Sequence, residues 1–136
     1  MALILDTGVV YAWMDRGDRA HAPSRELVEG CTEMLVIPAV VLPEVDYLLS
    51  TRGGPGPMVA LLRDVDSGAL VVEDLEHEDY QRVADIVDRY DDVGFVDAAV
   101  LAIVERLGEP KLATLDRRHF AQLRPRHVES LELLPG

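Results

Sequence analysis

The sequence predicts a three-layer α/β/α domain built on a mainly parallel central sheet, as one domain over residues 1–136. Three observations predict it. Short apolar runs of strand length alternate with longer segments of helical period along the chain. The runs "ALIL", "LVIP" and "KLAT" are continuously apolar or nearly so, as strands covered on both faces are. The 136 residues, 49% of them hydrophobic, suit one core of ordinary size.

The elements follow in order. "ALILD" (2–6) reads as a short buried strand, and "VVYAWMD" (9–15) forms a helix after it. "HAPSRELVEGC" (21–31) is a second helix, with Pro23 tolerated in its first turn. "EMLVIP" (33–38) is the second strand. Pro38 or Pro43 opens the next helix, whose apolar face is Val45, Leu48 and Leu49. "TRGGPGP" (51–57) is the one strong cluster of helix breakers and reads as a loop between helices. "GPMVALLRDVDSG" (56–68) is a helix and "ALVVEDL" (69–75) a strand. In "HEDYQRVADIVDRYDD", Tyr80, Val83, Ile86, Val87 and Tyr90 form one apolar stripe at helical spacing. "FVDAAVLAIVERLG" (95–108) is almost wholly apolar, so that helix is central, with Gly108 as its C-cap. "KLATLD" (111–116) and "ESLELL" (129–134) are the last strands.

Composition narrows the function classes. The single cysteine, Cys31, excludes an internal disulfide and fits a reducing compartment; its setting in "EGCTE" offers no histidine to activate a thiol. No basic region precedes the apolar N-terminal residues, as a secretory signal requires. The longest apolar run, "MLVIPAVVLP", carries two prolines and is too short to span a bilayer. A cytoplasmic protein without membrane contact is expected. The net charge of −12 argues against a protein that coats nucleic acid passively, but not against an enzyme that meets it through a bound metal. The segment 111–127 is locally basic: Lys111, Arg117, Arg118, Arg124 and Arg126 are there, with Asp116 its only acid.

Four carboxylates stand out of pattern. Asp6 ends an apolar strand, Glu44 is flanked by apolar residues in "VVLPEVDYLL", Asp97 interrupts the most apolar helix near its start, and Asp116 ends "KLATL". An unpartnered buried carboxylate costs several kcal/mol. Each acid alone has a plainer reading. Asp6 suits a turn or cap, Glu44 a cap or partner of Arg52, Asp97 a helix cap, and Asp116 a cap of "RRHF". Together they lie at strand C-termini and helix starts, which converge on one edge of an open parallel sheet, where ligands bind. Four acids there cannot all stay ionised without a counter-charge, and no arginine is adjacent to Asp6, Glu44 or Asp97 in sequence. A divalent cation answers this, and all-oxygen ligation suits Mg²⁺ or Mn²⁺. His21, His77, His119 and His127 lack metal-ligand spacing, against a zinc site. Thr7 and Thr114 sit one and two residues from Asp6 and Asp116, either to orient a carboxylate or a metal-bound water, or as ordinary strand and turn residues. Asp46 points away from Glu44 on a helix, and Asp91 and Asp92 read as a cap or loop before Gly94.

"LILDTGVVYAW", "PAVVLPEVDYLL", "GFVDAAVLAIVERLG" and "LATLDRRHF" resemble, in order and spacing, the four motifs of PIN-domain ribonucleases, and most of all the VapC toxins of bacterial toxin–antitoxin pairs. The likeness covers essentially the whole chain. It implies Asp6, Glu44 and Asp97 as principal ligands of Mg²⁺, with Mn²⁺ as substitute. Asp116 is implied as the fourth acid, acting through water or on a second metal, with Thr7 and Thr114 as supporting hydroxyls. It implies hydrolysis of RNA phosphodiester bonds, in tRNA or rRNA, leaving 5′-phosphate and 3′-hydroxyl ends. Arg117, Arg118 and Arg124 are the expected phosphate contacts beside the acids. The likeness also implies a VapB-type antitoxin seated on the apolar helices around 42–66, a toxin homodimer and a toxin–antitoxin hetero-oligomer. One departure is "VGF" before Asp97, where many members are more polar. The alternative is a non-catalytic PIN-like module that binds RNA or protein. A phosphatase of the haloacid dehalogenase type needs a second aspartate two residues after the first; position 8 is Gly8.

Overall fold

A computed structural model describes residues 1–136. The elements are β1 (Ala2–Leu5), α1 (Thr7–Met14), α2 (His21–Glu29), β2 (Met34–Pro38), α3 (Leu42–Gly53), α4 (Gly56–Ser67), β3 (Val71–Glu73), α5 (Asp79–Arg89), α6 (Phe95–Leu107), β4 (Lys111–Ala113), α7 (Arg117–Gln122) and β5 (Glu132–Leu134). A 3₁₀ turn, Ala39–Val41, joins β2 to α3.

The five strands form one sheet in the order β3-β2-β1-β4-β5, and all four pairings are parallel. β1 pairs with β2 through Leu3↔Leu35 and with β4 through Leu5↔Ala113. The winding reverses between β1 and β4. Right-handed crossovers then place α1–α4 on one face and α5–α7 on the other. β1 is therefore covered on both sides, and Leu3, Ile4 and Leu5 are fully buried. α6 contributes an unbroken buried run from Ala98 to Val104, which is why its sequence has no polar face there. Its end is set by Gly108, whose φ of 69° lies in the left-handed region that costs glycine little. No helix is long and apolar enough to cross a membrane.

Several expected boundaries move. The predicted loop over 51–57 shrinks to two residues, Gly54 and Pro55. α3 runs through Gly53, and α4 begins at Gly56 with Pro57 in its first turn, where a missing N–H costs nothing. The expected strand 69–75 narrows to Val71–Glu73, and 129–134 to Glu132–Leu134. The apolar stripe of α5 is also narrower than its spacing suggested. Val83 and Ile86 are buried, but Tyr80 and Val87 are exposed. At about 100° per residue they sit on the flank of the stripe rather than on its centre line. The residues "RRHF" after Asp116 begin the short helix α7.

Candidate functional site

Each of the four acids sits at the start of a helix. Asp6 is the N-cap of α1 and accepts from the Thr7 backbone N–H at 2.8 Å. Glu44 lies in the first turn of α3, and Asp97 in the first turn of α6. Asp116 is the N-cap of α7 and accepts from the His119 backbone N–H at 3.2 Å. The cap reading of Asp6 and Asp116 is therefore correct, and it is compatible with a site. A helix N-terminus offers partial positive charge, so four of them aimed at one place ease the crowding of four acids. The expectation that Asp116 ends a strand is corrected: β4 stops at Ala113, and Thr114 and Leu115 carry the chain on to the cap.

The place of convergence is where the winding reverses. The Asp6 N–H donates to the Ala113 carbonyl at 2.9 Å, stitching the end of β1 to the end of β4. Asp6, Thr7, Gly8, Glu44, Asp97, Leu115, Asp116 and His119 line one open cleft of about 550 Å³. This is the crevice at the strand C-termini that open parallel sheets use for ligands. A tighter recess between the C-terminal ends of α1 and α3, lined by Tyr11, Leu49 and Arg52, carries one acid, Asp15. That carboxylate is spent on the Tyr11 hydroxyl and the Gly17 N–H.

Two threonine hydroxyls hold two of the acids. Thr7 Oγ1 donates to Glu44 Oε1 at 2.7 Å, and the fully buried Thr114 Oγ1 donates to Asp6 Oδ2 at 2.8 Å. The Asp116 N–H in turn donates to Thr114 Oγ1 at 3.0 Å. Of the two functional roles open to these threonines, orienting a carboxylate is the one the geometry contains.

Charge in the cleft is poorly compensated. No lysine or arginine forms an ion pair with any of the four acids. Burial pushes the Asp6 carboxyl up from its ordinary range, against the hydrogen bonds from Thr114 and Thr7. Burial, reinforced by the charges of Asp6 and Asp116, pushes Asp97 up to about 6. The one cationic candidate is a residue that the sequence spacing passed over. His119 Nδ1 lies 2.8 Å from Asp116 Oδ2 and 3.6 Å from Asp97 Oδ2, and its Nε2 lies 3.8 Å from Asp92 Oδ2. The Asp116 hydrogen bond raises the imidazole pKa. The signal was available in "DRRHF": once 117–122 is helical, residues 116 and 119 share a face. Asp92, read as loop, reaches this rim and accepts from Gln122 Nε2 at 3.0 Å.

The expected basic rim divides. Arg117 donates to the carbonyls of Leu133 and Pro135, at 3.0 and 2.9 Å, which fastens it to the C-terminal strand. Arg126 pairs with Asp85. The side chains of Arg118 and Arg124 are exposed and have no ion-pair partner.

The donor set fits a hard divalent cation. Four carboxylates from four elements face one cleft and lack a fixed counter-charge, and two are already held by hydroxyls behind them.

Comparison with known proteins bears on the family and the fold. The PIN domain family model matches residues 3–124. The chain is 34% identical over 125 residues to Ribonuclease VapC26 of Mycobacterium tuberculosis, covering 90% of this chain and 93% of that protein. Among solved structures, VapC20 of Mycobacterium tuberculosis, described as a sarcin–ricin loop cleaving toxin, superposes with a TM-score of 0.77 at 23% identity, over 85% of this chain and 90% of the other. VapBC2 of Rickettsia felis, solved bound to a DNA fragment from its promoter, gives a TM-score of 0.71 at 16% identity, over 98% and 97% of the two chains. At those identities the two structures speak for the fold.

Proposed function

Because this chain belongs to the PIN-domain family, we propose that its four-acid cleft is the active centre of a metal-dependent endoribonuclease, acting as the toxin of a cytoplasmic toxin–antitoxin pair. The observation that carries the reading is the convergence of Asp6, Glu44, Asp97 and Asp116 on one cleft with no lysine or arginine paired to any of them. Asp6, Glu44 and Asp97 hold the cation, Mg²⁺ or Mn²⁺, and Asp116 serves as the fourth acid. Bound there, such an ion lowers the pKa of a water and stabilises charge on the phosphate in an in-line displacement.

The chain's own residues supply position. Thr7 aims Glu44 and Thr114 aims Asp6, so neither carboxylate has to be ordered when substrate arrives. Arg118 and Arg124 are the phosphate contacts at the rim. Arg117, expected in the same role, reaches substrate only by leaving its two carbonyl partners. The substrate is RNA, of the tRNA or rRNA class that the family likeness implies, and since the protein is strongly acidic overall the RNA phosphates are met by the bound ion and the rim arginines. A VapB-type antitoxin is the partner. The exposed Tyr47 of α3 and Val59 and Leu62 of α4 offer the apolar surface for it, and a toxin homodimer completes the assembly.

One assay tests the reading. Purified chain, freed of any partner, is given RNA with Mn²⁺ or with EDTA, beside Asp6→Asn. Metal-dependent cleavage by the wild type alone is expected. Equal inactivity of both with metal favours a non-catalytic binding module, and equal cleavage by both indicts a contaminating nuclease.

A further inference from the structure

We propose that His119 is an imidazole ligand of the cation in this cleft, acting with Asp97 and Asp116, and that it biases the site toward Mn²⁺ over Mg²⁺. The inference rests on the metal-dependent reading above and adds a nitrogen donor to an all-oxygen site.

The geometry is specific. One ligand atom from each of Asp97, Asp116 and His119 lies within 4.8 Å of the other two. His119 Nδ1 stands 2.8 Å from Asp116 Oδ2 and 3.6 Å from Asp97 Oδ2. Adjacent ligands on an octahedral ion with bonds of about 2.1 Å stand about 3 Å apart; the His119–Asp116 pair has that spacing, and Asp97 at 3.6 Å comes to it with a small shift of its side chain. The ring also has a carboxylate behind it. Its Nε2 faces Asp92 at 3.8 Å, beyond hydrogen-bond length, and Asp92 is held by Gln122, so an acceptor stands close to where an outer carboxylate orients a metal-bound histidine. His119 is on α7, the same short helix that Asp116 caps, so one element delivers both donors. Asp6 and Glu44 approach from α1 and α3, each tied to its threonine.

The chemistry follows from donor type. Both ions suit oxygen donors, but Mg²⁺ gains little from imidazole, whereas Mn²⁺, as a first-row transition ion, accepts one nitrogen donor among carboxylates more readily. A lone imidazole among carboxylates should therefore change which ion the site prefers more than whether it binds one.

The test uses the full chain stripped of metal and loaded with Mn²⁺ or Mg²⁺. Pulsed electron paramagnetic resonance of the Mn²⁺ form should detect ¹⁴N coupling from a coordinated imidazole, absent in His119→Gln and His119→Ala. Calorimetry should find Mn²⁺ affinity reduced roughly tenfold or more in both variants, the loss already seen when a partner outside the ligand set is removed. Mg²⁺ affinity should move far less, so the Mn²⁺/Mg²⁺ preference contracts. Glutamine can keep a hydrogen bond to Asp116, so it separates ligation from simple bracing. Mn²⁺-loaded wild type without nitrogen coupling, or an unchanged Mn²⁺/Mg²⁺ ratio in the variants, overturns the proposal and leaves His119 as a hydrogen-bond partner of Asp116. If the wild type binds neither ion, the metal-dependent reading falls as well. If His119→Ala fails to fold, His119→Gln and the wild-type spectrum decide.

Discussion

Thr114 stands between the first and last acids of the cleft: its hydroxyl donates to Asp6 at 2.8 Å and accepts from the Asp116 backbone N–H at 3.0 Å. It is fully buried, and Asp6 is nearly so. Thr114→Val keeps the shape and removes both bonds. An unsatisfied buried group costs about 1–3 kcal/mol, so the urea midpoint should fall accordingly. The Thr114 bond also holds the Asp6 pKa down against burial, so the variant should need a higher pH for half-maximal metal binding. Thr114→Ser should recover both. A valine variant as stable as the wild type would mean that water replaces the hydroxyl.

Thr7 and Glu44 make the matching pair on the exposed side, at 2.7 Å. Here water can replace the lost donor, so Thr7→Ala should change the melting temperature little. Metal affinity should fall by about 10–100-fold, the usual effect of losing a partner that orients a ligand. Calorimetric titration with Mn²⁺ measures it. A stable variant with unaltered affinity removes Thr7 from the site.

Asp97 sets a pH dependence. Its carboxyl titrates near 6 in the fold, against an ordinary value of 3.8, through burial first and neighbouring acids second. The native state therefore holds a proton that the unfolded chain has already lost. This contribution to stability is fully present below 3.8 and lost as pH rises through about 6. The Asp97 side chain is 22% exposed, so solvent screening reduces the effect to the order of 1 kcal/mol. In EDTA, Asp97→Asn should match the wild type near pH 4 and exceed its melting temperature above pH 6.5. A constant difference across that range would contradict the titration.

With metal present the order should reverse. An ion that binds only the folded state stabilises it by RT ln(1 + [L]/Kd), about 2.7 kcal/mol at a hundred times Kd. At pH 7.5, Mg²⁺ should raise the wild-type melting temperature, and Asp97→Asn should lose most of that rise. A full rise in the variant would exclude Asp97 as a ligand.

Arg106 provides a control away from the cleft. Its guanidinium reaches Glu73, Glu76, Asp79 and the Asp74 carbonyl, at 2.9–3.2 Å, and joins α6 to the loop before α5. The Asp79 side chain is only 6% exposed, so removing its partner strands a buried charge. Arg106→Met should cost on the order of 3 kcal/mol in urea unfolding. Cleavage per folded molecule should persist, since Arg106 lies outside the cleft.

How far the site could be read from sequence differs from residue to residue. Asp6 and Asp97 were conspicuous because a charge in an apolar run is costly, whatever the fold around it. Asp116 was found by the same rule but placed on the wrong element, because a three-residue strand gives no periodic signal of where it stops. His119 was missed because its meaning depends on α7, a six-residue helix too short to be marked by a repeat. Arg117 was expected at the rim because charge counting sees the guanidinium but not the two carbonyls that occupy it.

The sequence by itself determined the parallel α/β architecture, the burial of β1 and α6, and the four carboxylates, since each follows from local period or from the cost of burying charge. Only the tertiary structure decided that Thr7 serves Glu44, 37 residues away, that Thr114 serves Asp6, 108 residues away, and that His119 completes the ring of acids. Those pairings depend on β4 lying beside β1, and on four helix starts meeting where the winding of the sheet reverses. Strand order is a property of the closed sheet, and no local pattern of residues encodes it.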